Sequence, residues 1–124
     1  MEILRKTALG VLGGGAYVGL EYLWRGYSHG SMFAAGGVCF LLLGQVRRTP
    51  ALIRPILGAA VITGVELVTG LLVNQNYQVW DYRRNPGNFL GQICPAYTLL
   101  WLPLSLAAMA VYPHADRLVR RFTP

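Results

Sequence analysis

Two glutamates interrupt apolar stretches of the chain, and their carboxylates are the groups most able to do chemistry there. Glu21 and Glu66 each lie within such a stretch. Burying a carboxylate is costly unless it is paired or protonated. Glu21 has Arg25 four residues later on the same helix face, so a salt bridge is locally available. Glu66 has no cation in its own stretch, so it either takes Arg25, Arg83 or Arg84 as a partner or holds a proton.

A polar segment later in the chain adds further groups to the two glutamates. Residues 74–86 are the more polar of the two segments predicted to lie on the outer side, and Asn88 and Gln92 follow with the i,i+4 spacing of one helix face. We predict that one polar cavity is lined by these residues and the glutamates: Glu21, Arg25, Glu66, Trp80, Asp81, Arg83, Asn88 and Gln92. The alternative is an internal network that pins the helices in register.

The sequence lacks the residues that nucleophilic catalysis, metal binding or nucleotide binding would need. His29 and His114 lie far apart, and neither forms a nucleophile–base pair. We find no zinc-type cluster, phosphate-binding glycine loop or nucleotide motif, so we predict no cofactor, no metal and no catalytic residues. Cys39 and Cys94 are expected to be small packing residues. An enzyme that uses the carboxylates as acid and base on a lipid-type substrate stays an alternative.

The composition indicates that a lipid bilayer surrounds the elements that carry these groups. Of the 124 residues, 54% are hydrophobic and only 13% are charged, whereas soluble globular chains have about 25% charged residues. Eleven Lys and Arg against five Asp and Glu give a formal net charge of +6. In such a chain the basic excess indicates membrane topology, and we expect no nucleic-acid partner.

Four apolar stretches come close to the ~20 residues that a helix needs to cross a bilayer. They are residues 7–24, 32–46, 55–73 and 86–112, and a basic tail follows at 113–124. A backbone in lipid must satisfy its own hydrogen bonds, which favours helices. The predicted fold is therefore an all-α membrane protein, a four-transmembrane-helix bundle that forms a single integral membrane domain over residues 1–124.

Prolines mark the expected starts of two of these helices. Pro55 follows Arg54, and Pro86 follows Asn85, so each proline fits the first helical turn and Asn85 fits the cap of the fourth helix.

The cations are unequally divided among the predicted loops and termini. The N-terminus, the second loop and the C-terminus contain eight: Arg5, Lys6, Arg47, Arg48, Arg54, Arg117, Arg120 and Arg121. The first and third loops contain three: Arg25, Arg83 and Arg84. The positive-inside rule then places both termini in the cytoplasm and the polar cavity toward the outer side. Trp24, Trp80 and Tyr82 either wall this cavity or form an aromatic belt at the interface.

Small residues and short matches suggest how the helices pair. Gly10 and Gly14 share one face of the first helix, where a neighbouring helix can approach closely. The glycines of Gly15-xxx-Gly19 have the same spacing. The segments 19–21 (GLE) and 64–66 (GVE) match, as expected if two helical hairpins are parallel repeats.

Several segments also resemble a known family. The chain contains GLEYLWRG at 19–26, VWDY at 79–82 and GQIC at 91–94. With these segments it resembles the "Putative ABC-transporter type IV" family, small bacterial membrane proteins also called CmpB-like permeases, over roughly residues 15–102. The resemblance implies a similar four-span arrangement and a multi-pass location in a bacterial inner membrane.

The leading functional hypothesis is a permease-like transporter component with an outward-facing acidic site. Its expected partners are the lipid bilayer and either further copies of itself or a separate ATPase subunit. The alternatives are a small proton-coupled exporter, the enzyme described above, and a membrane scaffold protein that binds a partner through its glycine-lined helices.

Overall fold

Four α-helices make up most of the described chain. The computed structural model describes residues 2–26 and 29–122. The helices are α1 (Glu2–Arg25), α2 (Gly30–Val46), α3 (Arg54–Val73) and α4 (Pro95–Phe122). No strand forms within those two ranges, so the predicted all-α class is confirmed there. The final two residues of the predicted basic tail, 123–124, lie outside the described residues.

The helices pack as two hairpins. The most extensive contacts are those of α1 with α2 and of α3 with α4. Helix α2 also contacts α3 and α4, and α1 contacts α4, but α1 and α3 do not contact each other in the described part of the chain. Helices α1 and α3 are therefore diagonally opposed in the bundle, and α2 and α4 lie between them.

Two helices, α3 and α4, are long and apolar enough to cross a bilayer. Helix α2 is also apolar, but it is shorter, with 17 residues. That all four helices cross the membrane, and that both termini are cytoplasmic, stay predictions.

The fourth helix begins at Pro95, so the predicted start at Pro86 is wrong. The intervening backbone explains why, because Gly87, Leu90 and Gly91 have φ values of +72°, +56° and +69°. These left-handed conformations interrupt an α-helix. Asn85 caps no helix there, and its side-chain amide donates to the Cys94 Sγ atom at 3.4 Å. Much of the predicted tail is instead the last part of α4.

Glycines allow the close approach of α1 and α2. A Cβ atom on Gly14 would lie 2.3 Å from the carbonyl oxygen of Phe33, and one on Gly37 would lie 2.7 Å from that of Gly10. Both glycines therefore sit at backbone-to-backbone contacts, as the predicted glycine face requires. A Cβ atom on Gly15 or Gly19 would meet nothing within 4 Å, so that second glycine pair is not at a contact within the described chain.

Helices α1 and α4 are joined where α1 begins and α4 ends. The Arg5 guanidinium donates to the Asp116 carboxylate, which also accepts from Arg120 at 3.1 Å. Leu9 and Tyr112 are buried beside this ion pair. The N-terminal end of α1 and the C-terminal end of α4 therefore lie at the same end of the bundle.

The α1–α2 contact predicts different effects for two adjacent glycines. Gly14→Ala should lower the free energy of unfolding by about 1–3 kcal/mol, because a methyl group there overlaps a backbone carbonyl. Gly15→Ala, the control, should leave it unchanged or raise it by up to ~1 kcal/mol, since alanine favours the helix. Unfolding in mixed micelles at increasing SDS fraction measures both values. Equal losses at the two positions would contradict the packing.

Candidate functional site

A cavity of about 990 Å³ lies among the four helices and the loop that connects α3 to α4. Its volume is at the upper end of the ~300–1,000 Å³ typical of small-molecule sites. It extends from Trp24, near the end of α1, to Leu118, near the end of α4. Most of its lining is apolar, and both Glu21 and Glu66 are part of that lining.

Glu21 forms the salt bridge that its spacing from Arg25 makes available. The Arg25 Nε atom lies 2.8 Å from the Glu21 Oε2 atom, and both side chains are largely buried. The Arg25 Nη1 atom also donates to the carbonyl oxygen of Val79 at 3.0 Å. Arg25 therefore neutralises one cavity carboxylate and attaches α1 to the loop between α3 and α4.

Glu66 is bound by neutral donors. The hydroxyl group of Tyr82 donates to its Oε2 atom at 3.0 Å, and the indole N–H of Trp101 donates to its Oε1 atom at 3.5 Å. Within residues 2–26 and 29–122 no salt bridge joins Glu66 to Arg25, Arg83 or Arg84. The carboxylate thus faces the cavity without a cationic partner in the described structure.

Four aromatic side chains form a continuous row along the cavity, here called the aromatic row: Trp80, Tyr82, Tyr97 and Trp101. The rings of Tyr82 and Tyr97 are stacked with centroids 4.8 Å apart. Neighbouring ring centroids are 6.5 Å apart for Trp80 and Tyr82 and 6.1 Å apart for Tyr97 and Trp101. Because Tyr82 and Trp101 both donate to Glu66, the row surrounds that carboxylate.

The loop of residues 74–94 is organised by the fully buried side chain of Asn74. Its Oδ1 atom accepts from the backbone N–H groups of Val79 and Trp80 at 2.8 and 3.3 Å. Its Nδ2 atom donates to the Trp80 carbonyl at 2.6 Å and to the Gln92 side chain at 3.0 Å. One amide therefore satisfies four polar groups, and the loop closes around it.

Gln92 completes this network. Its Nε2 atom donates to the backbone carbonyl of Asn74 at 3.1 Å, and its backbone carbonyl accepts from the indole N–H of Trp80 at 2.9 Å. A Cβ atom on Gly70 would lie 2.2 Å from the Gln92 Oε1 atom, so only glycine lets this side chain pack against α3. The network fixes Trp80, the first member of the aromatic row.

Asp81 and Arg83 pair with each other on the surface of the loop. The Arg83 Nε and Nη2 atoms bind the two oxygens of Asp81 at 2.9 and 2.8 Å. These hydrogen bonds lower the pKa of Asp81 from an ordinary 3.8 to about 2. The guanidinium also lies over the Tyr77 ring, 4.1 Å from its centroid.

The predicted site residues therefore fall into two groups. Glu21, Arg25, Glu66 and Trp80 line the cavity. The other four are not part of that lining but shape the 74–94 loop: Asp81, Arg83, Asn88 and Gln92. Asn88, for example, donates to the carbonyls of Arg83 and Asn85 and accepts from the N–H of Gly91.

Sequence reasoning from the residues missed three members of the site. Asn74 was grouped only with a polar segment, although its position directly after α3 marks it as a helix-ending residue. Tyr97 and Trp101 lie within the apolar stretch 86–112 and are not among the predicted site residues. The four-residue spacing of Tyr97 and Trp101 places both on one face of α4, which is the signal that could have identified them.

The fold and the site together define a small all-helical protein whose apolar helices surround a cavity with carboxylates. A family model described as "Putative ABC-transporter type IV" matches residues 23–124, which contain most of the chain. The chain belongs to this family, and the resemblance seen in the sequence is confirmed. The match includes Glu66, the aromatic row and the whole 74–94 loop, and it begins just after Glu21. Searches of curated proteins and of solved structures found no match.

The buried amide network predicts a sharp difference between two asparagines of the same loop. Asn74→Ala leaves several buried polar groups without a partner, each costing about 1–3 kcal/mol. The loop should open, and buried Cys94 should react faster with a maleimide. Asn76→Ala, at an exposed position, should change stability by less than about 0.5 kcal/mol. Mass spectrometry of labelled peptides distinguishes Cys94 from Cys39, and equal labelling rates in the two variants would contradict the network.

Proposed function

We propose that the chain is a multi-pass membrane protein that acts as a permease-like component of a transporter. The observation that carries this proposal is the cavity, in which two carboxylates lie among apolar and aromatic side chains. Ionisable groups within membrane segments typically mark a substrate or ion pathway. The transported molecule binds in this cavity, and membership of an ABC-transporter-type family supports the same role.

In this proposal all four helices cross the inner membrane of a bacterium, with both termini in the cytoplasm. The length and apolar character of α3 and α4 support the crossing, and the distribution of cations supports the orientation. The ion pair between Arg5 and Asp116 supports it independently, because it joins the start of α1 to the end of α4. The 74–94 loop, with Glu21 and Glu66 near it, then lies toward the outer side.

A second subunit completes the transporter. Exposed side chains of α1 and α4 line the cavity, for example Leu20 and Val111, so the cavity is open at its side and one chain does not enclose it. Either another copy of this chain or an ATPase subunit supplies the missing wall or the driving force. A small proton-coupled exporter would use the same cavity, but it would need only further copies of the chain.

Cysteine labelling tests the proposed topology with two exposed positions. In a chain whose Cys39 and Cys94 are replaced by alanine, an impermeant maleimide should label Gln78→Cys in intact cells. Leu52→Cys, in the loop between α2 and α3, should react only after permeabilisation. Both positions are exposed, and Leu52 is 88% exposed, so accessibility to reagent does not limit the reaction. The reverse pattern contradicts the orientation, and labelling of both sites in intact cells contradicts a crossing between them.

Purification in a mild detergent tests the transporter role. The tagged chain should elute with an ATPase subunit or as an assembly of several copies, measured by light scattering and mass spectrometry of the eluted complex. An assembly of copies without an ATPase agrees with both the permease-component proposal and the exporter alternative. A chain that elutes only as a monomer contradicts the permease-component proposal.

A further inference from the structure

We propose that the cavity binds a lipophilic organic cation, with the positive charge at Glu66 and the apolar groups on the aromatic row. This inference rests on the proposed function and names the class of molecule that the cavity takes. Four observations support it: the carboxyl group of Glu66 without a cationic partner among the described residues, the aromatic row beside it, the apolar lining of the cavity and the opening of the cavity.

The first observation is a carboxyl group that has no cationic partner in the described structure. Glu21 is neutralised by Arg25, so that pair adds no net charge to the cavity. Glu66 accepts hydrogen bonds only from the neutral Tyr82 and Trp101 side chains in the described structure. A carboxylate in apolar surroundings attracts a counter-charge far more strongly than one in water. A cationic ligand supplies the charge that the described residues around Glu66 do not.

The second observation is the aromatic surface at the same carboxylate. Cations are attracted to the faces of Trp and Tyr rings, and cages of such rings recognise quaternary ammonium groups. The rings of Tyr82 and Trp101 are held at Glu66 by their hydrogen bonds, and Tyr97 lies between those two rings. A diffuse organic cation can therefore interact with the carboxylate and with several rings at once.

The third observation is the predominantly apolar lining. Away from the two carboxylates most of the lining side chains are apolar, such as Leu20, Ile62 and Leu104, and the few polar ones include Tyr17, Thr69 and His114, which favours an apolar ligand over a sugar or a nucleotide. Among the described residues no group of three or more His, Cys, Asp or Glu side chains gathers to hold a metal ion. A hydrated inorganic cation would lose its water ligands without replacement. The apolar volume instead suits a large ligand of low charge density.

The fourth observation concerns access. Several side chains of α1 and α4 that line the cavity are exposed, such as Leu20, Leu100 and Val111, so the cavity has an opening along these helices. In a membrane that opening faces lipid, where lipophilic cations accumulate near the carboxylate without crossing water.

Equilibrium binding of radiolabelled tetraphenylphosphonium tests the inference. The full chain is reconstituted in nanodiscs of phosphatidylcholine, and binding should saturate with one site per chain. Unlabelled tetraphenylphosphonium should compete, whereas radiolabelled tetraphenylborate, an anion of the same shape measured in separate samples, should show no saturable binding. Glu66→Gln should weaken binding by about tenfold or more, which corresponds to ~1.4 kcal/mol. Asp81→Asn, the control, removes a carboxylate that does not line the cavity and should leave binding unchanged.

Two results overturn the inference. Uptake that does not saturate, or that is equal for the cation and the anion, shows only partition into lipid. Saturable binding that Glu66→Gln leaves intact shows that the charge lies elsewhere. The comparison of cation with anion uses the native chain, so it decides the matter even where Glu66→Gln does not fold. If the chain does not bind the cation, the topology and co-purification experiments can still support the proposed function. The two proposals can therefore be tested separately.

Discussion

The buried side chain of Asn74 is the interaction on which the candidate site depends. Its amide satisfies the backbone of Val79 and Trp80 and binds the side chain of Gln92. A buried amide of this kind is stable only when its partners are all present, so the loop has one favourable arrangement. That arrangement places Trp80 and Tyr82 against the helices, and Tyr82 in turn holds Glu66. The carboxylate of α3 is therefore oriented by Tyr82 of the loop together with Trp101 of α4.

The chemistry of the site follows from which carboxylate is neutralised. Glu21 has a cation within its own helix, and that cation also binds the loop. Glu66 accepts hydrogen bonds from two aromatic donors that carry no charge. The cavity therefore contains one carboxylate paired with a cation and one bound only by neutral donors in the described structure. The family to which the chain belongs is consistent with a role for such a cavity in transport.

Local features of this protein could be predicted from its sequence, and features that join distant segments could not. The all-helical class and the contact at Gly14 depend on composition and on spacing within single helices, and the structure agrees with both. The predicted start of α4 at Pro86 was wrong, because Gly87, Leu90 and Gly91, which follow that proline, adopt left-handed conformations that a helix cannot contain. The partners of Glu66 are 16 and 35 residues away along the chain, and no periodicity relates such positions.

The two hairpins are joined at opposite ends by polar contacts that both begin on α1. Arg5 binds Asp116 at one end, and Arg25 binds the Val79 carbonyl at the other. The first helix is therefore fixed to the second hairpin by a polar contact near each of its ends, and most of its cavity-lining residues lie between those two contacts.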